Sequence, residues 1–181
     1  MATITKKRKK FFDVEIPLIN KETQAQAFTL EELEGRFIKF DLTRILKGKS
    51  IEARFNIKIE GSGEKQKAIA HPIQFRLMPY YLKRMVRKGT NYVEDSFTSN
   101  CKDAKLKIKP FLVTRRKVSR AVRKALRNKA KEELLKYVKD KDAEELFDDI
   151  IKNKIQKTIS LKLKKIYPLS MCEIRVLEIL K

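Results

Sequence analysis

The chain is poor in the residues that metal sites, disulfide frameworks and phosphate-binding loops require. Its 181 residues include two cysteines, one histidine, five glycines and no tryptophan. Cys101 and Cys172 are too few for a disulfide scaffold and lack the spacing of metal ligands, so we expect neither a metal nor another cofactor. Gly61-Ser62-Gly63 has neither the spacing of a dinucleotide fingerprint nor the ending of a phosphate loop, and it is interpreted as a hairpin turn.

Long apolar runs are missing as well. No uncharged apolar stretch approaches the roughly 20 residues that a membrane-spanning helix needs. The N-terminus carries a basic run from Lys6 to Lys10, but no apolar segment follows it, which argues against a secretory signal. We therefore expect no membrane partner and a cytoplasmic location.

Acidic residues are scarce relative to basic ones. The sequence has 44 Lys and Arg against 23 Asp and Glu, which gives a formal net charge of +21, and 37% of its residues are charged. Such an excess repels itself, and a polyanionic partner would remove that energetic cost. Because 42% of the residues are hydrophobic, including ten Phe, a folded core is expected nonetheless.

Two hydropathy periods organise the chain. Alternation of apolar and polar residues, clearest from Ile51 to Glu60, predicts half-buried strands, and a period of 3.6 after Val113 predicts helices. Pro72 has no N–H for a strand ladder, so we expect it at a sheet edge or a strand end. The predicted strands are 35–42, 51–60, 66–75, 92–98, 104–113 and 172–176, and the predicted helices are 78–88, 118–138 and 143–166.

These elements predict an α+β fold. We expect a small, mostly antiparallel β-barrel or sandwich body with a short basic helix and two long C-terminal helices. The sequence shows no internal repeat and no long linker. The predicted organisation is therefore a basic N-terminal tail over residues 1–10 and a single α+β domain over residues 11–181.

The sequence offers little that could carry catalysis. His71 stands beside Pro72 with no Ser or Cys in a recognisable motif nearby. The carboxylates that cluster at the start of the last predicted helix complement the positive end of its dipole and need no ligand to explain them. We expect a protein that is not an enzyme, and an RNA-processing activity using His71 is the less favoured alternative.

Positive charge is concentrated in one region. Between Lys102 and Lys139 there are fifteen basic and three acidic residues. From Arg115 to Arg127 the basic residues recur at helical spacings that stack like charges on one side, which destabilises a helix unless phosphates neutralise them. The apolar stripe opposite them is mostly Val and Ala, which favours packing against the protein body over insertion into a membrane surface.

This pattern favours nucleic acid as the partner. No motif for base-specific recognition is present, so binding through the backbone, with recognition of the shape of folded RNA, is the preferred interpretation. A free nucleic-acid chaperone or a chromatin-type protein is the alternative.

Several segments resemble one protein family. They are Lys9–Pro17, Gly35–Phe37, Tyr81–Lys88, Lys107–Phe111, Ile166-Tyr167-Pro168-Leu169 and Cys172–Val176. Together they resemble the archaeal and eukaryotic small-subunit ribosomal protein family S3Ae (eS1). Gln74–Pro79 stands where the family commonly has His-Asp-Leu-Thr-Arg in a loop. A long C-terminal extension of the eukaryotic kind is absent, so an archaeal-type or a reduced ribosome is expected.

The resemblance implies a role in translation without catalysis. It implies a β-barrel body with flanking helices on the platform of the small ribosomal subunit, near the messenger exit region. The implied partners are small-subunit ribosomal RNA, neighbouring platform proteins and messenger RNA. The residues expected to bind ribosomal RNA are Lys6, Lys7, Arg8, Lys9, Lys10, Lys83, Arg84, Arg87, Lys88, Arg115, Arg116, Lys117, Arg120, Arg123, Lys124 and Arg127.

Overall fold

A computed structural model describes residues 8–46, 49–61 and 66–180 of the chain. These residues form two compact units. The first holds the described residues up to Phe40 together with Arg54–Ile73, and the second holds Asp41–Ala53 and the residues from Gln74 onward. The turn expected at Gly61-Ser62-Gly63 lies outside the described residues after Gly61. The expected single domain over residues 11–181 stays a prediction.

The first unit begins with an antiparallel hairpin. Strand β1 (Lys10–Ile16) pairs with strand β2 (Lys21–Ala27) along its whole length. The turn between them ends at Asn20, whose φ of 50° lies in the left-handed region that Asn tolerates. Lys10, at the end of the predicted tail, pairs with Ala27 and already belongs to the sheet. No strand was expected over β2, because its residues are mostly polar and show no alternation of apolar and polar side chains.

Three more strands contribute to the first unit. Strand β3 (Phe37–Asp41) pairs with strand β4 (Ile51–Glu60), which pairs with strand β5 (Lys67–Leu77). β5 also runs parallel to β1. The alternation predicted for β4 is confirmed, since every second residue from Ile51 to Ile57 is buried.

The second unit is built on an antiparallel sheet. Strand β9 (Leu169–Leu180) lies between residues 74–77 of β5 and strand β8 (Lys105–Thr114). On its other side β8 pairs with two short strands, β6 (Tyr92–Glu94) and β7 (Phe97–Asn100). The single strand predicted over 92–98 is therefore two strands. The two strands keep one register with β8, with Glu94 opposite Phe111 and Phe97 opposite Ile108, and the break falls opposite Pro110, which has no N–H to donate.

Two details of the strands differ from expectation. Pro72 lies inside β5 rather than at its end, between the residues that pair with β1 and those that pair with β9. Gln74–Leu77 belong to β5, so most of the segment compared with a family loop is strand.

In the described part of the chain the pairing path from β2 to β6 has two free ends, so these strands form no closed barrel. The α+β class with mostly antiparallel strands is confirmed.

Four α-helices are present among the described residues. They are α1 (Pro79–Met85), α2 (Arg120–Lys139), α3 (Ala143–Ile151) and α4 (Lys154–Leu163). The continuous helix predicted over 143–166 is wrong, because it is interrupted at Asn153, whose φ of 59° lies in the left-handed region. A residue in that conformation cannot continue a right-handed helix, so the chain starts a new helix in a new direction.

The core of the second unit lies between its sheet and its helices. Large apolar side chains of α2, α3 and α4 are buried with those of one sheet face. Full burial of such a side chain contributes about 1.5–3 kcal/mol relative to exposure. The buried residues include Leu106, Ile108, Leu112, Leu126, Leu134, Phe147, Ile159, Leu163, Ile174 and Leu177. None of the helices in the described ranges is long and apolar enough to cross a membrane.

Candidate nucleic-acid interface

A hydrogen-bonded anchor fixes the loop that leads from β8 into α2. Thr114, which is fully buried, accepts the N–H of Asn91 at 3.0 Å through its Oγ1. The same oxygen lies 2.8 Å from the carbonyl of Arg116 and 3.0 Å from that of Asn91, either of which can accept its proton. The N–H of Val118 donates to Asn91 Oδ1 at 2.8 Å. Arg115, Arg116 and Lys117 therefore project from a loop held at both ends.

The basic residues that follow lie on the first turns of α2. Ser119 precedes the helix, and its Oγ accepts the N–H of Val122 at 3.4 Å. Arg123 is partly buried, and its Nε finds no hydrogen-bond partner among the described residues. The other basic residues of this segment are exposed. We name the following seven residues the basic arm: Arg115, Arg116, Lys117, Arg120, Arg123, Lys124 and Arg127.

The basic arm has no internal counter-charge. Among the described residues none of its seven side chains forms an ion pair. The second half of α2 differs, because there Lys129 and Lys136 pair with Glu132 at 3.0 and 2.7 Å. Hydrogen bonds from Lys136 and Lys129 lower the pKa of Glu132 to about 2. From Lys129 onward Glu132 and Glu133 neutralise part of the positive charge of this helix, whereas the helix contains no acidic residue before Lys129.

The apolar stripe expected to pack the arm against the protein body is only half correct. Leu126, Leu134 and the small residue between them, Ala130, are buried, but Ala121 and Ala125 are exposed. The reason is geometric: full burial in α2 begins at Leu126, and of the helical residues before it Val122 and Arg123 are only partly buried. In the first half of α2 a partner can consequently contact the exposed alanines as well as the charged face.

The predicted basic residues of α1 are also exposed. Tyr81 and Leu82 are buried on one side of this helix, while Lys83 and Arg84 point outward. Beyond the helix Arg87 and Lys88 are exposed as well. The chain then passes Gly89, which has a φ of +87°, and reaches Asn91, the anchor of the basic arm. The basic residues of α1 and those just after it are therefore only a few residues away in the chain from the anchor of the basic arm.

The N-terminal basic residues lie in the first unit. Lys6 and Lys7 are outside the described residues. Arg8, Lys9 and Lys10 are exposed, and Lys9 Nζ lies 5.7 Å from the centre of the Phe28 ring. These residues are available to a polyanion, with the lysine partly held by a cation–π contact.

A buried polar cluster in the second unit was not expected. Lys49 Nζ lies 2.7 Å from Glu173 Oε2 and also donates to Asn153 Oδ1. Gln156 Nε2 lies 3.5 Å from the same carboxylate oxygen and 3.0 Å from the carbonyl of Ile150. Burial raises the pKa of Glu173, and the ammonium of Lys49 offsets part of that rise. No spacing rule could have found this cluster, because it depends on the break at Asn153.

The remaining candidates for catalysis or metal binding are His71, the cysteines and the acidic side chains. His71 Nε2 lies 3.0 Å from Glu60 Oε1 on a partly exposed surface. Burial raises the pKa of the Cys172 thiol to about 12, far from a reactive thiolate. Within residues 8–46, 49–61 and 66–180, no group of three or more His, Cys, Asp or Glu side chains could hold a metal ion.

The chain is similar to known proteins over most of its length. The model of the Ribosomal S3Ae family matches residues 5–181. Small ribosomal subunit protein eS1 of Nanoarchaeum equitans is 25% identical over 170 residues, which cover 90% of this chain and 84% of that protein. The eS1 protein of Pyrobaculum arsenaticum is 25% identical over 161 residues, covering 88% and 70%. That of Halorubrum lacusprofundi is 30% identical over 106 residues, covering 58% and 49%.

Proposed function

The chain belongs to the Ribosomal S3Ae family, and we propose that it is a structural constituent of the small ribosomal subunit that binds ribosomal RNA through its basic arm, α1 and N-terminal basic residues. The family and its archaeal eS1 members support the structural role in the cytoplasmic ribosome. The position that we propose is the platform near the messenger exit region. Its neighbours there are other platform proteins and messenger RNA.

The observation that carries the proposal is the contrast within α2. Among the described residues none of the seven cations of the basic arm has a carboxylate partner, while Lys129 and Lys136 after them pair with Glu132. Each repulsive pair at helical spacing costs a few tenths of a kcal/mol. Phosphates would turn this cost into a gain, because each neutralised phosphate also releases condensed counterions.

The anchor formed by Asn91 and Thr114 suits such a contact. A loop already held by hydrogen bonds loses less conformational entropy when it binds than a free loop does. Arginine adds to this, since its planar fork can donate two hydrogen bonds to one phosphate. The basic arm contains five arginines and two lysines.

The alternatives rest on fewer observations. The family is a family of ribosomal proteins, not of enzymes, and His71 Nε2 lies 3.0 Å from the carboxylate of Glu60. A free nucleic-acid chaperone would use the same cations, so charge alone does not separate it from a ribosomal protein. Location in the cell does separate them.

Sedimentation tests the proposal. A tagged chain expressed in an archaeal host should migrate with the small subunit through moderate salt. A variant with Arg116→Gln, Arg120→Gln and Arg127→Gln should shift toward the top of the gradient. The control variant Lys139→Gln, Lys164→Gln and Lys165→Gln loses the same charge outside the basic arm and should stay with the subunit. Wild-type protein found only at the top of the gradient would contradict the ribosomal role.

A further inference from the structure

The sheet of the second unit has a second face, opposite the one on which α2, α3 and α4 pack, and α1 lies beside it only near Phe111. Residues directly paired across strands share a face. One row of such pairs, Phe75, Leu177, Ile108 and Phe97, is buried. The rows on either side of it therefore form what we call the outer sheet face. They are Gln74, Glu178, Lys107 and Thr98 in one row, Arg76, Val176 and Lys109 in another, and Leu180, Lys105 and Asn100 in a third.

Unpaired cations line this face. Lys105, Lys107 and Lys109 stand at alternate positions of β8, and Arg76 lies across β9 from Lys109. None of the four forms an ion pair with a described residue, and Glu178 is the one acidic side chain in these three rows. Alternate residues of a strand lie about 6.8 Å apart. That separation is close to the distance between successive phosphates of an extended single strand of nucleic acid.

An exposed aromatic ring stands at one end of the lysine row. Phe111 follows Lys109 on the same face of β8, and the ring of Tyr92 stacks on it with centroids 5.9 Å apart and planes 17° apart. Phe111 is buried, but Tyr92 is 54% exposed, so the side of its ring that faces away from Phe111 is open. Lys83 and Arg175 line the same cavity of about 410 Å³.

The cavity around Tyr92 is held in shape by an ion pair. Arg175 donates to both carboxylate oxygens of Glu94 at 3.1 and 3.2 Å. The pairing of Glu94 with Phe111 in the sheet places this ion pair beside the stacked rings. The ring of Tyr92 therefore lies on a strand, β6, that is hydrogen-bonded to β8 on one side and joined to β9 by this ion pair.

We propose that the outer sheet face binds an unpaired segment of RNA, with one base stacked on Tyr92 and the following phosphates lying along Lys109, Lys107 and Lys105. This inference rests on the proposed function in taking RNA as the polyanion. The outer sheet face would then be a second RNA-binding site besides the basic arm, and it would prefer unpaired RNA. Single-strand binders combine the same two elements, a cationic track and an aromatic platform for bases.

Charge and shape together favour an unpaired strand over other polyanions. The bases of an intact duplex are stacked on one another, so a duplex would contact the lysines and leave Tyr92 without a role. An acidic peptide would also satisfy the lysines, but its carboxylates have no flat surface to lie on the ring. Only an unpaired nucleotide uses both the ring and the row of charges.

Binding of the full-length chain to two fluorescent RNAs tests the site. One is an unpaired oligouridylate of about ten nucleotides, and the other is a fully paired RNA hairpin. Tyr92→Ala should weaken binding of the oligouridylate roughly ten-fold, since stacking on an aromatic ring is worth about five- to 150-fold per base. Tyr92→Phe, which keeps the ring, should bind like the wild type. Hairpin binding should be unchanged in both variants.

Two further variants separate the site from the basic arm. Lys105→Gln, Lys107→Gln and Lys109→Gln should weaken oligouridylate binding more than the control Lys139→Gln, Lys164→Gln and Lys165→Gln, which removes the same charge elsewhere. Arg116→Gln, Arg120→Gln and Arg127→Gln should weaken hairpin binding most. Circular dichroism of each variant checks that it folds. As a second measurement, ultraviolet crosslinking of oligo-4-thiouridylate to the wild type should map to the peptide containing Tyr92.

The outcomes distinguish this inference from the proposed function. If the chain binds neither RNA, both fail. If the hairpin binds through the basic arm but oligouridylate binding ignores Tyr92 and the lysine row, and no crosslink reaches Tyr92, the outer sheet face is not a single-strand site. Competition by an acidic peptide as strong as that by the oligouridylate would also overturn the inference.

Discussion

The side chain of Asn91 accepts the N–H of Val118 at 2.8 Å, 27 residues away in the chain. This bond joins the segment after α1 to the start of α2. Arg115, Arg116 and Lys117 lie inside the loop that it closes, so the position of three cations depends on one uncharged amide.

Replacing Asn91 by Ala should loosen that loop without changing any charge. The lost hydrogen bond should lower the free energy of unfolding by about 1 kcal/mol. Amide hydrogen exchange at Val118 should become faster, and the affinity for an RNA hairpin should fall modestly. Thr90→Ala is the matched control, because its side chain bonds only to the carbonyl of Arg87. Unchanged exchange at Val118 would contradict the anchor.

Neutralising part of the basic arm should change the salt dependence of RNA binding. Each phosphate contact contributes roughly 0.7 to 0.9 to the slope of log affinity against log salt. The variant Arg116→Gln, Arg120→Gln and Arg127→Gln should therefore bind an RNA hairpin with a slope shallower by about two to three. Titrations at several salt concentrations measure this. A slope that stays the same would mean that these arginines do not touch phosphate.

Removing the ammonium of Lys49 should leave the Glu173 carboxylate buried without its partner. The side chains are only 10% and 14% exposed, so Lys49→Met should destabilise the chain by about 3–5 kcal/mol at neutral pH. Denaturant unfolding measures the loss. Lys139→Met, at an exposed residue without an ion pair to a described residue, is the control and should change stability little.

The loss caused by Lys49→Met should depend on pH. The folded pKa of Glu173 is raised above its ordinary 4.5, chiefly by burial, and removal of Lys49 raises it further. A carboxyl with a raised folded pKa favours the folded state while it is protonated, and that contribution disappears as the pH rises through the folded pKa. The deficit of the variant should hence shrink as the pH falls toward 4.5. A deficit that grows on acidification would disprove this arrangement.

The break between α3 and α4 can be tested at Asn153. Asn153→Ala places a Cβ residue without a local hydrogen bond at a φ of 59° and removes the acceptor of Lys49. It should cost about 1–2 kcal/mol more than Asn153→Gly, which loses the same acceptor but relieves the left-handed conformation. Thermal unfolding of the two variants measures the difference. Equal stabilities would indicate that the backbone conformation carries no strain.

The sequence predicted some elements well because their patterns are local. β4 has the predicted bounds, Ile51–Glu60, since its alternation is nearly perfect. β2 was missed because its alternate residues are polar and because its partner β1, not its own composition, makes it a strand. The break at Asn153 was missed since the apolar spacing continues through it.

The candidate interface could be predicted only in part from local sequence patterns. Composition located the basic arm, and the structure shows six of its seven cations exposed and Arg123 partly buried. Which cations are already neutralised could not be predicted, because the pairs that decide it include contacts between distant residues, such as Lys162 with Glu133 at 2.5 Å. The stacking of Tyr92 on Phe111 is likewise a contact between strands.

The central place of β9 has a consequence for biosynthesis. Translation proceeds from the N-terminus, so β8 and the last residues of β5 leave the ribosome well before residues 169–180 that must lie between them. Until those residues emerge, the sheet of the second unit has a gap, while the strongly cationic segment 102–139 is already outside. The nascent chain thus shows its attraction for polyanions before it can fold, and it depends on late synthesis, rather than early nucleation, to complete this unit.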